Sequence, residues 1–402
     1  MESIRELYRI GTGPSSSHTM APRKAADAFV RQVQDADSYR VTLYGSLAST
    51  GRGHLTDRAI EEVFGSRRMT LVWKPETELA AHPNGMLFEA LDASEKVIKC
   101  WEVCSVGGGA LQDKGGAQAP HLIDSLTSMD QILAHCQENG LAFWEYVEAC
   151  EGKEVWSFLA EVWQAMQCSL ERGLQAEGVL PGGLGLARKA QSFYRKANLY
   201  DPDFKQNGLL SAYAHAVSEE NASGGVIVTA PTCGACGVLP AVLHHLVKTY
   251  NYGTDKILRA LATAGLFGNL VKYNGSISGA EVGCQGEIGT ACAMAAAAAT
   301  QLHGGSVRQI EYAAEMGLEH HLGLTCDPVQ GLVQIPCIER NAHAAARALN
   351  CCQYALLSDG VHKISFDEIV TVMKETGQAL PSLYRETSGG GIAQAYRQRK
   401  QR

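Results

Sequence analysis

Three cysteines stand in short segments rich in Gly or Pro: Gly279-Ala-Glu-Val-Gly-Cys284-Gln-Gly, Leu324-Thr-Cys326-Asp-Pro and Gln334-Ile-Pro-Cys337-Ile-Glu-Arg-Asn341. Thiolates are soft ligands, and segments of this kind let a backbone wrap a compact inorganic group. Cys284, Cys326 and Cys337 are therefore candidate ligands of an iron–sulfur cluster. Three thiolates on a four-iron cluster would leave one iron free to do chemistry. Spacing alone does not decide the matter. The gap from Cys284 to Cys326 is long and that from Cys326 to Cys337 is short, unlike the compact arrays of zinc or ferredoxin sites. Free cysteines are also among the most buried residue types. The residues leave two readings open, packed thiols or cluster ligands, and the neighbours Gly283, Asp327-Pro328 and Pro336 weigh toward ligands. Cys292, Cys351 and Cys352 lie in apolar helical runs and read as core.

A second constellation is Gly11-Thr-Gly-Pro-Ser-Ser-Ser-His18-Thr19. Gly and Pro break any preceding helix, and the Ser/Thr run offers caps for the next one. A helix N-terminus there would suit a carboxylate ligand. An imidazole with a pKa near about 6.5 is suited to general base work, which makes His18 a candidate base. A plain Ser-rich cap with a surface His is the competing reading. A third stretch, Thr229-Ala-Pro-Thr-Cys233-Gly-Ala-Cys236-Gly, reads as a loop whose N–H groups line a pocket. Its lone C-x-x-C has low specificity for redox or metal chemistry. Asn274-Gly-Ser-Ile-Ser-Gly279 and Asn341 are candidates for contacts that support the cysteines. Walker, H-E-x-x-H and G-x-S-x-G motifs are missing.

These segments need elements to hold them. The pattern predicts a short helix over 1–10 and a helix over 20–35. Strands follow over 40–47, 69–73, 85–90 and 97–105, with a helix at 56–64 between the first two. Gly107-Gly-Gly109 closes this small unit. A linker is placed at 116–130, and from 131 the apolar spacing turns helical. Helices are expected over 131–137, 141–150, 155–174, 186–200, 208–218, 237–250, 255–270, 307–317, 339–358 and 366–376. An Ala-rich helix over 291–303 should be packed and buried. The expected class is α+β: a small N-terminal α/β domain over 1–115, then a larger, mostly α-helical catalytic domain over 131–402.

Composition bounds the function. A chain of 402 residues with 46% hydrophobic and 19% charged residues is globular, with room for about two or three domains. A net charge of -7 and the lack of a basic run argue against a nucleic-acid partner. No apolar stretch suits a bilayer span, and the N-terminus lacks a signal-peptide pattern, so a cytoplasmic location is expected. Thirteen cysteines in a reducing compartment are thiols or metal ligands rather than disulfides.

Taken together, the motifs resemble the bacterial iron–sulfur-dependent L-serine dehydratases (L-serine ammonia-lyases), essentially end to end. Gly11-x-Gly-Pro-Ser-Ser-Ser-His-Thr and Leu43-Tyr-Gly-Ser-Leu are similar to that family's β domain. Asn221-Ala, Thr229-Ala-Pro-Thr, Ser276-Ile-Ser-Gly-Ala-Glu-Val-Gly-Cys-Gln-Gly-Glu, and the Cys326 and Cys337 segments are similar to its α domain. The resemblance implies a [4Fe–4S] cluster on Cys284, Cys326 and Cys337, and no pyridoxal phosphate. It implies His18 as the base for the Cα proton. It implies a small amino-acid substrate held by Ser16, Ser17, Thr19 and the loop of Thr232, Cys233 and Gly234, and a homodimer. A lyase for another small β-hydroxy or β-substituted amino acid is the alternative, as is a non-catalytic iron–sulfur amino-acid sensor. Relatives commonly carry Asn where this chain has Cys233, and many carry a cysteine near the C-terminus. Here the last cysteine is Cys352, so the tail cannot supply a fourth sulfur.

Overall fold

The computed structural model describes residues 1–80, 82–113 and 122–401. Residues 116–121 of the predicted linker therefore lie outside the described residues, and the end of the linker already belongs to helix Met129–Asn139. The first strand, β1 (Ile10–Thr12), does not join the N-terminal sheet. It pairs antiparallel with β7 (Val226–Val228), Gly11 opposite Ile227. That two-stranded ribbon sets the Ser-Ser-Ser-His loop, which follows β1, beside the Thr-Ala-Pro-Thr loop, which follows β7. The predicted helix over 1–10 is instead a single 3-10 turn, Ile4–Glu6, leading into β1. Met1, Ile4, Leu7 and Tyr8 are buried against the helical core, and the Tyr8 hydroxyl donates to Leu261 O at 2.9 Å. Their helix-like spacing serves this docking.

The N-terminal sheet comprises β2 (Ser38–Tyr44), β3 (Met69–Lys74), β4 (Gly85–Leu91), β5 (Val97–Ser105) and β6 (Leu111–Asp113), in the order β3-β2-β4-β5-β6. The pair β2–β3 is parallel, because helix Thr56–Phe64 carries the chain back across the sheet. The other pairs are antiparallel. Asp92 closes the β4–β5 turn by accepting from the backbone of Ser94 and Lys96. Tyr39, Val41, Leu43, Met86, Phe88 and Ala90 alternate onto one buried face. Phe29 and Val30 of helix Ala21–Gln32, with Ile60 and Phe64, cover that face.

The remainder is helical. Its axis is helix Thr290–Leu302, which is almost wholly buried. Alanines let neighbours come close: a Cβ at Gly317 would stand 2.9 Å from Ala293 Cα. Helices Val238–Tyr250, Thr254–Asn274, Val307–Glu319 and Cys337–Leu357 surround it. The helix expected over 186–200 is shorter, Ala190–Ala197, preceded by a Gly-rich loop. Among the described residues, the α-helices Gly45–Thr50, Gly279–Val282 and Gly391–Gln401 were not read from the sequence. The class is α+β, a small sheet-and-helix unit beside a larger helical body.

Candidate active site

His18 sits in a wide first turn, Ser16–Met20, that runs straight into helix Ala21–Gln32. Ser15 caps it by accepting from His18 N at 3.0 Å. The loop is held from the helical body. Asn221 Nδ2 donates to Pro14 O at 2.8 Å, and a Cβ at Gly13 would collide with Asn221 Oδ1 at 2.1 Å. Only glycine permits that approach. Thr19 is committed to holding the loop: its hydroxyl donates to His54 O at 2.7 Å and accepts from Ser15 N at 3.1 Å. Ser17 Oγ lies 2.9 Å from His18 Nδ1. Ser16 is buried at the same turn.

His18 is fully buried, and its other partners come from distant chain segments. Its Nε2 is 3.2 Å from Ser46 Oγ, at the start of the unforeseen helix Gly45–Thr50. Its Nδ1 is 3.5 Å from Glu386 Oε1, on the C-terminal tail. The ring of His54 lies against it, tilted by 53° at a centroid distance of 4.4 Å. Burial lowers the His18 pKa to about 4, against the opposing pull of the Ser46 contact. His54 is pushed down by burial and by His18 beside it. Both imidazoles are thus neutral at pH 7.

The three cysteines converge from three loops. Cys284 precedes the turn Gln285–Gly289 that feeds the central helix. Cys337 opens helix Cys337–Leu357 directly after Pro336, where the positive helix end favours a thiolate. Cys326 is pinned through its backbone to the tail: its N–H donates to Tyr384 O at 2.8 Å, and its C=O accepts from Glu386 N at 2.7 Å. Cys284, Glu287 and Cys326 bring their ligand atoms within 4.8 Å of one another. The Cys284 contact and burial push the Cys326 thiol well up, and burial with Cys284 does the same to Cys337. Burial also raises Glu287, although Thr232 Oγ1 donates to it at 2.8 Å. Glu386 is driven well up by burial, then by Glu287 and Cys284.

Arg340, in the first turn of helix Cys337–Leu357, faces this set. Burial works against its charge, but Cys284, Cys337 and Cys326 outweigh it and hold the guanidinium above its ordinary range. Its Nη1 donates to Thr325 O at 2.7 Å. Asn341 ties the Thr-Ala-Pro-Thr loop to the cysteines: Nδ2 donates to Gly234 O at 2.7 Å and Cys337 O at 2.9 Å, and Oδ1 accepts from Gly237 N. Asn274 instead binds Thr127 O, away from the set. A crowd of buried acids, costly when ionised, fits a cationic group that displaces their protons. The glycines agree. A Cβ at Gly279 would stand 2.7 Å from Glu287 Oε2 and 3.2 Å from Cys326 Sγ, and one at Gly234 would stand 3.2 Å from Glu287 Oε1. Both leave room between the ligands that a side chain would fill.

The seam between the two units holds further buried polar atoms that sequence reasoning missed. Both amide atoms of Asn84, Ser105 Oγ, Ser278 Oγ and His54 Nδ1 have no hydrogen-bond partner among the described residues. Asn84 and Ser105 are connected, since Ser105 N donates to Asn84 O at 2.9 Å. Neighbouring Pro83 O accepts from Ser46 N at 3.1 Å, which sets Asn84 near the His18 side. Gly107, two residues after Ser105, approaches Ser278 so closely that a Cβ would meet its Cβ at 3.2 Å. His82 Nε2 reaches Glu281 Oε1 at 3.3 Å across the seam. An unpaired buried polar group costs about 1–3 kcal/mol, so these atoms gather groups that a polar ligand would satisfy. Cys233 is buried with Sγ 3.8 Å from Met20 Sδ, and burial, Cys236 and then Glu287 push its thiol well up. Its side chain packs the Thr-Ala-Pro-Thr loop against the turn of the Ser-Ser-Ser-His loop.

Two family models match the chain, Serine dehydratase beta chain over residues 3–65 and Serine dehydratase alpha chain over residues 68–393. The chain belongs to the serine dehydratase family. It is 40% identical to "L-serine dehydratase" of Streptomyces coelicolor, over 97% of this chain and 98% of that protein. It is 39% identical to "L-serine dehydratase 1" of Escherichia coli, over 98% and 99%. It is 34% identical to "L-serine dehydratase" of Helicobacter pylori, over 97% and 98%. Among the described residues no helix is long and apolar enough to cross a membrane.

Proposed function

We propose that the chain is an L-serine ammonia-lyase that carries a [4Fe–4S] cluster on Cys284, Cys326 and Cys337. Full-length similarity to proteins named L-serine dehydratase supports the reaction. The observation that carries the site is the convergence of a buried imidazole from the Ser-Ser-Ser-His loop with the buried thiols of Cys284 and Cys326 and the half-buried Cys337 across one seam. Loss of water from serine is hard twice over, because the Cα proton is weakly acidic and hydroxide leaves poorly. The cluster, when bound, supplies a Lewis-acidic iron for the β-hydroxyl. The chain's own residues do the rest. His18, neutral at pH 7, offers a lone pair to the Cα proton. Ser17 and Ser46 hold its two nitrogens. Asn84, Ser105 and Ser278 provide unpaired donors and acceptors for the substrate's carboxylate and ammonium. A carboxamide carries both kinds of group and so can bridge an α-amino acid. Water leaves from Cα and Cβ, the resulting enamine becomes an imine, and the imine takes up water to give pyruvate and ammonia. Closure of the seam keeps bulk water from the reacting carbons.

The direct test is pyruvate formation by anaerobically reconstituted protein offered L-serine, L-threonine, D-serine and L-cysteine. Turnover of L-serine in preference to the others is expected, and no turnover of L-serine would sink the proposal. The homodimer implied by the family is part of the same proposal, to be read from sedimentation of the loaded protein.

A further inference from the structure

Among the described residues, a second group of metal-type side chains besides Cys284, Glu287 and Cys326 is formed by His18, His54 and Glu386. Their ligand atoms lie within 4.8 Å of one another and all three residues are buried. His18 Nδ1 and Glu386 Oε1 are 3.5 Å apart. Zinc bonds of about 2.0–2.2 Å to nitrogen and oxygen place tetrahedral neighbours about 3.3–3.5 Å apart. The pair is therefore already spaced as two ligands of one ion. An independent observation completes the set: His54 Nδ1 is buried without a hydrogen-bond partner, although the residue is only 1% exposed. Its backbone is fixed, because His54 O accepts from Thr19 and His54 N donates to Thr50 O at 3.2 Å. Glu386 is fixed as firmly, by Cys326 O on its N–H and by Ser46 Oγ on its C=O. Two neutral imidazoles and a carboxylate on rigid backbone make a site for a borderline divalent ion.

We propose that His18, His54 and Glu386 form a second metal site, separate from the cluster ligands, that binds Zn²⁺ and thereby silences the enzyme. Glu386 ligates the ion through its carboxylate, and Ser17 gives up its contact with Nδ1. A neutral imidazole has one bare nitrogen. With Nδ1 on zinc, the ring proton sits on Nε2, and no lone pair is left for the substrate Cα proton. The ion would be held by three protein ligands, leaving a fourth position for water or the substrate carboxylate. The silencing rests on the serine-dehydratase reading; the zinc site does not.

The test uses cluster-loaded enzyme kept without oxygen. Zinc is titrated by calorimetry, bound zinc is examined by K-edge X-ray absorption, and pyruvate formation is followed in parallel. One zinc per chain is expected, with a shell of nitrogen and oxygen near about 2.0 Å and no sulfur near about 2.3 Å. Iron content should stay constant while kcat falls along the same isotherm. His54→Ala and the isosteric Glu386→Gln should each weaken zinc binding by at least about tenfold, the loss that even an outer partner of a metal ligand causes. A sulfur shell, loss of iron in step with zinc uptake, or unchanged affinity in both variants would overturn the site. If the wild type binds zinc as described but makes no pyruvate from serine, the function is wrong and the zinc site stands.

Discussion

Gly279→Ala sets two effects of one methyl group against each other. Gly279 opens the short helix Gly279–Val282 with an ordinary negative φ, so the backbone accepts alanine. In the cluster-free chain the substitution gains up to about 1 kcal/mol from helix propensity and from a less flexible unfolded state. The new Cβ would stand 2.7 Å from Glu287 Oε2 and 3.2 Å from Cys326 Sγ. Glu287 can swing its carboxylate aside at the cost of its 2.8 Å bond from Thr232, so the cluster-free chain should melt within a few degrees of wild type. With the cluster bound, Cys326 and its neighbours are fixed and the methyl cannot be accommodated that way. Overpacking then costs about 1–3 kcal/mol, which falls wholly on the loaded state. At 1.36 kcal/mol per decade this is roughly a five- to 150-fold weaker hold on the cluster. The assay is iron retained per chain during anaerobic competition with a chelator, beside thermal melts of the cluster-free protein. Retention equal to wild type would refute the reasoning, and so would a cluster-free chain destabilised by several kcal/mol.

Other outcomes follow from the same geometry. His18→Ala should lower kcat by about 10²–10⁴ and leave the iron content unchanged; wild-type turnover would remove His18 as the base. Asn84→Ala should raise KM for L-serine at least about tenfold, while the ligand-free protein melts no earlier than wild type, because the amide has no partner to lose. An unchanged KM with a lowered melting temperature would make Asn84 structural. The His18 pKa is about 4 in the fold against the ordinary imidazole value of 6.5, so the unfolded chain binds a proton that the folded one refuses. Stability should therefore be full above about pH 6.5 and fall by up to about 3 kcal/mol toward pH 4, a slope that His18→Gln flattens in cluster-free melts. Truncation after Gly390 removes the Ile392 N–H from Asp327 Oδ2, at 2.5 Å, and both Arg397 bonds to the Ser388 and Gly389 carbonyls. It should loosen Glu386 and speed iron loss in air; an unchanged rate would argue that the tail does not guard the site.

The sequence carried the strands and the buried central helix because alternation and alanine content report burial directly. Residues 40–47 show where that signal stops. The β2 pattern continues through Ser46 and Leu47, but Gly45 turns the chain with φ 50 and starts a helix, and this turn is what hands Ser46 to His18. Local patterns do not show which distant segment will complete a site. His18, Cys284, Cys326 and Cys337 were legible because glycine and proline mark the loops around them. Ser46, His54, Asn84 and Arg340 were not, because only the tertiary fold brings these segments to His18, the seam and the cysteines. Glu386 is the sharpest case. The tail was read for a missing cysteine, and it does lack one, but it delivers a carboxyl group instead. Glu386 and Ser388 hold positive φ angles of 57 and 54, conformations rare for such residues and maintained by the tail's bonds to Cys326 O and Pro328 O. The clue available was the run Ser388-Gly-Gly-Gly, a flexible stretch immediately after an acid.

The central claim is that Cys284, Cys326 and Cys337 hold a cluster. It is tested most directly by iron and acid-labile sulfide analysis of protein purified and reconstituted without oxygen. The account predicts brown protein with about four irons and about four sulfides per chain, falling sharply when any one of the three cysteines is changed to serine. Colourless, iron-free protein under those conditions would contradict it and return the three thiols to the core.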